Sequence, residues 1–227
     1  MGVSIHYSGI LTSPDVLPSL IEEMKALASE AGWKITKIAP DWFRLPNSPP
    51  LRVQGLLVSL YSRMEPLNLV FDESGRLTNF LHLVAFSDET ATKEPTKIVV
   101  VDNDNLQVKE IDENSDPRQV ALWNASTKTQ FAGPAAHIAL CKLLRYLQPK
   151  YFRHLEVRDE GDYWETGEVE RLIERMNIIN FATNQLSDFL VSRTKKTSSV
   201  AIDELLADLK EFCQQIQKQL PHRRFHE

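Results

Sequence analysis

The apolar residues of this chain change their spacing near residue 134. Before that point, one helical stretch aside, they alternate with polar residues; after it they recur every three or four positions. A period of two lines one face of a strand, and a period of 3.6 lines one face of a helix. Strands first and helices last predict an α+β protein. Its mainly antiparallel, curved sheet packs against helices, and two long C-terminal helices close it.

The stretch "VSIHY" puts Val3, Ile5 and Tyr7 on one face of a first strand and Ser4 and His6 on the other. Ser13, Pro14 and Asp15 then start a helix, whose Leu17, Leu20, Ile21, Met24, Leu27 and Ala31 repeat at helical spacing until Gly32 stops it. "WKITKI" is the next strand. Residues 39–52 are too rich in proline for regular structure, and Trp42 and Phe43 are expected to anchor that loop to the core. "VQGLLVSLY", "LNLVFD" and "LTNFLHLVAF" read as three strands, with a hairpin turn at 72–76 and with His82 alternating between Phe80 and Val84. "KIVVVD" and "LQVKEI" flank a second hairpin signal at Asn103, Asp104 and Asn105, and "QVALWNASTK" reads as a final long strand.

Pro134 opens a helix to about Gln148, and a short strand "LEVR" follows. Residues 167–192 carry Leu172, Met176, Ile179, Leu186 and Phe189 on one stripe; residues 200–219 carry Leu205, Leu209, Phe212 and Ile216. The polar "RTKKTSS" between them predicts an antiparallel helix pair. The expected organisation is a sheet domain over 1–160 and a helical pair over 161–227 packed on it as one structural unit. The order of elements resembles TATA-binding-protein-like folds, an analogy of architecture that carries no function.

Composition narrows the partners. A formal charge of -5 lacks the basic face that phosphate backbones require, so nucleic acid is not an expected partner. No apolar run approaches a membrane span, and residues 3–7 alternate like a strand where a secretory leader would be apolar throughout. Cys141 and Cys213 fall within helical apolar patterns and read as small core residues of a reducing compartment. The cytoplasm is the expected location, without a membrane partner.

The chain has no glycine-rich phosphate loop ending in Lys-Ser/Thr, no GxSxG and no HExxH. His154-Leu155-Glu156 matches half of a zinc deaminase signature, but no PCxxC supplies the remaining ligands. Asp102, Asn103, Asp104 and Glu113 imitate a calcium loop, yet Leu106 and Gln107 stand where an oxygen ligand and a glycine are needed. No metal or cofactor is therefore expected.

Two stretches remain as candidate ligand sites. In "KTQFAGPAAH", Lys128 and Gln130 end a strand just before a helix whose free N–H groups could hold an anion. His137 shares a stripe with Arg145 and Gln148 and is expected on the solvent side. In "DEGDYWETGE", Asp159, Glu160, Asp162 and Glu165 surround Tyr163 and Trp164. Clustered carboxylates can share acid and base roles or hold a divalent cation, and the aromatics offer a flat apolar surface. Thr166 is expected to N-cap the helix that follows, with Glu168 and Glu170 in its first turns. The acids from Asp159 to Asp162 are then expected on a surface turn, contributing little to folding.

Together "EPLNLVFDESGRL", "KTQFAGPAAHIALCKLL" and "LEVRDEGDYWETG" resemble an uncharacterised family of bacterial proteins over roughly residues 1–180. The resemblance implies a bacterial cytoplasmic protein and brings no catalytic residue. The expected function is a non-enzymatic binding or regulatory protein that recognises a protein or small molecule. The alternative is a divalent-cation-dependent hydrolase using the 159–165 acids. A homodimer through the C-terminal helices is the expected form of self-association.

Overall fold

A computed structural model describes residues 2–44, 50–87 and 121–194. The expected strands at 97–102 and 106–111, the hairpin signal between them, Cys213 and the second C-terminal helix lie outside the described residues.

The elements run β1 (Ser4–Leu11), α1 (Leu17–Ala31), β2 (Lys34–Phe43), β3 (Leu51–Ser59), β4 (Leu67–Asp72), β5 (Leu77–Thr78) and α2 (Phe80–Ser87). After the gap come β6 (Ala125–Lys128), α3 (Pro134–Tyr151), β7 (Phe152–Asp159), α4 (Tyr163–Thr166) and α5 (Val169–Thr194). Helices and antiparallel strands are mixed, as an α+β reading requires. The strands form two sheets, ordered β6-β1-β7 and β2-β3-β4-β5, with an isolated bridge between Ile10 and Arg76.

Alternation decides what β1 buries. Val3, Ile5, Tyr7 and Leu11 point into the main core, where they meet Leu20 and Met24 of α1, Leu140 and Leu144 of α3, and Leu56, Leu69 and Phe71 of the second sheet. Strand β4 is buried on both faces from Leu67 to Phe71. A smaller apolar cluster of Val53, Val70, Leu83 and Leu122 covers its second face, so the run is apolar but for Asn68. Asn68, the polar exception, is satisfied: its Nδ2 donates to Thr78 O at 2.6 Å and its Oδ1 accepts from Phe80 N at 3.2 Å. Gly55 of β3 lies so close to β4 that a Cβ there would stand 2.1 Å from Leu69 O.

Three readings of the strand region need correction. "LTNFLHLVAF" is strand only at Leu77–Thr78, after which Asn79 Oδ1 accepts from His82 N at 3.3 Å and turns the chain into α2. A run apolar at nearly every position satisfies either period, so His82, Phe80 and Val84 lie on a helix and not on a strand face. "QVALWNASTK" is strand only from Ala125. Residues 39–43 belong to β2 despite Pro40. Phe43 does anchor that end, meeting Phe80 edge-on at 5.8 Å, whereas Trp42 is 58% exposed beside Arg52. Among the described residues, no helix is long and apolar enough to cross a membrane.

Candidate functional site

The two motif-like stretches meet in one buried hydrogen-bond network. β6 runs into Thr129 and Gln130, the backbone turns through Gly133 at φ 87°, and Pro134 begins α3 with its φ already helical. One turn later His137 points inward. β7, antiparallel to β1, ends on Asp159, which the pairing places opposite Ile5. Its side chain therefore comes up beneath the first turn of α3.

Thr129 Oγ1 lies 2.8 Å from His137 Nδ1, and His137 Nε2 lies 2.9 Å from Asp159 Oδ2. The remaining capacity of the carboxylate is used as well. Its Oδ1 accepts from Gly161 N at 2.6 Å and its Oδ2 from Trp164 N at 2.8 Å. Thr129 Oγ1 also donates to Val3 O at 3.2 Å, so its hydroxyl lies between the Val3 carbonyl and the imidazole. On the other side of the ring, His137 Nε2–H donates to an ionised Asp159. Burial pushes the Asp159 carboxyl up, but the His137 bond, the His137 charge and the N–H groups of Trp164 and Gly161 outweigh it and hold the carboxyl below its ordinary range.

Cys141, one helical turn beyond His137, completes a buried group whose ligand atoms all lie within 4.8 Å of one another. The donor set does not fit a resident cation. A tetrahedral zinc centre needs a fourth ligand, and the 2.9 Å His137–Asp159 contact is a hydrogen bond that a metal would have to break. Burial, and after it the Asp159 charge, pushes the Cys141 thiol far up, away from the thiolate that binds metal or attacks carbon. No buried side-chain nitrogen or oxygen among the described residues lacks a partner. Thr129, His137 and Asp159 have the connectivity of a hydroxyl–imidazole–carboxylate relay, but all three are buried, and no substrate atom can reach the hydroxyl.

The other acids separate. Glu160 Oε2 accepts from Ser4 N at 2.8 Å and its Oε1 lies 3.2 Å from His6 Nε2. Burial opposes its ionisation, and the bonds from His6 and Ser4 overcome that and lower its carboxyl. Asp162 sits at φ 59°, a left-handed conformation that Asp tolerates, and receives Arg175 Nη2 at 2.5 Å. Glu165 is exposed, its carboxyl raised by partial burial and by the charges of Asp159 and Asp162. Tyr163 is buried in the main core; Trp164 is half-buried, with the Arg145 guanidinium 5.0 Å over its ring.

Several expectations are therefore corrected. Asp159 is no surface residue but the centre of the network. His137 is fully buried and not on the solvent side, because α3 turns the stripe of His137, Cys141 and Leu144 inward. Thr166 does not N-cap α5; it ends α4, donating to Asp162 O at 2.6 Å and accepting from Glu168 N at 3.1 Å. Gln130 is buried, its Oε1 accepting from Val3 N at 2.9 Å and its Nε2 donating to Met176 O at 2.9 Å and Asn180 Oδ1 at 2.8 Å. Lys128 places its ammonium 5.0 Å over the Phe131 ring. Sequence reasoning missed Thr129, Cys141 and His6 as members of this region. Period-two burial of Ala125 and Thr127 pointed at Thr129, and helical spacing pointed at His137 and Cys141.

Comparison with known proteins brings no further identification: no family model, no curated protein and no solved structure matches this chain.

Proposed function

We propose that this chain is a cytoplasmic binding or regulatory protein that recognises a partner on the outer face of the β6-β1-β7 sheet. The observation that carries this reading is the character of that face. Its inner side is core, while Ser4, His6, Ser8 and Ile10 of β1 alternate outward. Register sets Arg158 beside His6, Glu156 beside Ser8 and His154 beside Ile10, and Arg158, Glu156 and His154 are all exposed. Neither apolar cluster of the described residues includes a residue of this face. An antiparallel sheet with one wet side offers a flat, rigid array of donors and acceptors.

The acidic stretch joins the same surface through Glu160, whose carboxylate reaches His6. Mixed charge and two imidazoles suit a small polar ligand or a polar protein patch. The geometry gives the hydrolase alternative less support, because Asp159, Glu160 and Asp162 each spend their oxygens on different protein donors.

The test is a thermal-shift screen of metabolites and peptides against the wild type and a His6→Ala/His154→Ala/Arg158→Ala variant. Ligands that stabilise the wild type and not the variant would support the reading. Ligands that stabilise both equally would place the site elsewhere. Calorimetric titration with Mg²⁺, Mn²⁺, Ca²⁺ and Zn²⁺ should show no saturable site; micromolar binding abolished in Asp162→Asn would restore the hydrolase.

A further inference from the structure

The β6-β1-β7 sheet ends differently at its two edges. On the short β6 the backbone at Lys128 is taken up: its N–H donates to Glu65 Oε2 at 2.9 Å and its carbonyl accepts from Glu65 N at 3.1 Å. β7 is eight residues long and carries neither proline nor lysine, residues that commonly blunt an edge strand. Glu160 N donates to Ser4 O at 3.2 Å, which sets the alternation of the ladder. The backbone of Arg158, Glu156 and His154 therefore faces β1, and that of Asp159, Val157 and Leu155 faces the open side. There Leu155 O accepts from Gln148 Nε2 at 3.2 Å and Asp159 O from Asp162 N at 3.3 Å, which leaves each carbonyl a second lone pair. Neither the N–H nor the C=O of Val157 meets a partner among the described residues.

From this open edge and the charges along it, we infer that β7 pairs antiparallel with β7 of a second copy, on a two-fold axis at Val157. The two sheets join edge to edge into one. A strand that pairs with itself in this way must be complementary to its own reverse, a symmetry that a foreign strand would not require. About Val157, Glu156 falls opposite Arg158 of the second copy and His154 opposite its Glu160, and the symmetry makes each pair twice. An axis at Glu156 or at Arg158 would set that residue against itself, charge on like charge. An axis at Leu155 would set Arg158 against Phe152, without an acid. Val157 also supplies an apolar contact: it packs half-buried on the main cluster, and its counterpart in the second copy meets its open side. The joined sheet brings His154, Glu156 and Arg158 of both copies to the middle of one polar face. The pairing needs no ligand, so it stands or falls apart from the recognition proposed above.

Sedimentation of the full chain over a concentration series should reach twice the monomer mass at its upper end. Val157→Pro removes an N–H that no strand of its own sheet uses, so the fold should survive by circular dichroism while the dimer is lost. Should that variant fail to fold, charge reversal decides. Glu156→Arg and Arg158→Glu each set like charges opposite in both symmetric pairs and should weaken the dimer by about tenfold or more. The two single variants, mixed, should pair with each other. The double variant Glu156→Arg/Arg158→Glu should recover the wild-type affinity to within about threefold. A monomer at every concentration overturns the inference and leaves the edge to another strand, foreign or from elsewhere in this chain. A dimer that ignores all of these variants lies on another surface and overturns it too. So does a dimer weakened by the single reversals that neither mixing nor the double variant restores.

Discussion

Replacing Asp159 by Asn tests whether the buried network holds this fold together. The side chain is fully buried and accepts from three donors, His137 Nε2, Gly161 N and Trp164 N. An amide keeps the shape but turns one acceptor into a donor. If its oxygen takes the place of Oδ2, its NH2 faces the N–H of Gly161. If it takes the place of Oδ1, the NH2 faces the N–H of Trp164. Either way one buried backbone N–H has no acceptor, at about 1–3 kcal/mol, and the charge-assisted bond to His137 is lost as well. Removing one partner of a buried pair costs about 3–5 kcal/mol, and the whole domain is stable by roughly 5–15 kcal/mol. With a urea slope near 2 kcal/mol/M, the unfolding midpoint should fall by about 1.5–2.5 M. The pH dependence follows from the direction of the carboxyl shift. A folded value below the ordinary one contributes stability that is complete above about pH 4, the range of an unperturbed Asp, and is lost as pH falls through the lower folded value. The gap between wild type and variant should therefore be constant near neutrality and close only in acid. A cost below about 1 kcal/mol at pH 7 would show that the carboxylate does not staple the 159–164 turn.

Gly55→Ala would put a Cβ 2.1 Å from Leu69 O and 2.8 Å from Val70 Cα, both backbone, so circular dichroism melts should show severe destabilisation. Gly161→Ala meets chiefly the flexible Leu172 Cδ1, at 2.5 Å, and should cost about 1–3 kcal/mol in the same assay. The Glu23 carboxyl, held at about 2 by donation from Lys150, Tyr146 and Tyr151, should titrate by NMR near that value and rise toward the ordinary carboxylate range in Lys150→Met. In a Cys213→Ser background, Cys141 should resist thiol reagents at pH 8 until denaturant is added, since burial raises its thiol.

The legible parts of the sequence were those where one period acts alone. β1, with Val3, Ile5 and Tyr7 inward, and α1, ended by Gly32 at φ 70°, form as their spacing requires. Where a segment is apolar throughout, both periods fit, and α2 was read as strand because the turn made by Asn79 is a tertiary decision. Its backbone N–H donates to Leu122 O at 2.7 Å, a residue far along the chain. His137 was misplaced for a different reason. Its stripe with Arg145 was weighed by polarity, while the spacing of His137, Leu140, Cys141 and Leu144 is that of a core face. Polarity counts against burial only when no partner is at hand, and the partners, Thr129 and Asp159, come from two other elements. The dispersal of the 159–165 acids was equally hidden, because Ser4, His6 and Arg175 reach them only after β1 and α5 have packed.

What separates this network from a catalytic relay is access, not composition. A hydroxyl, an imidazole and a carboxylate in a row can move a proton from a nucleophile only if the hydroxyl touches a substrate atom. Here Thr129 sits against Val3, just before β1, where its N–H donates to Val3 O at 3.0 Å and its hydroxyl to the same oxygen at 3.2 Å. Gly161 lies so near that even a methyl group would stand 3.1 Å from His137 Cε1 and 3.1 Å from Asp159 Oδ1. The same bonds that would tune a relay instead tie the end of β6, the start of α3 and the end of β7 to one point. Three chain segments distant in sequence then share a common anchor, and β1, paired between β6 and β7, is fixed in register with its polar face outward. The buried network thus serves the exposed surface: by fixing β1 between its neighbours it sets the positions of His6, Ser8 and their cross-strand partners.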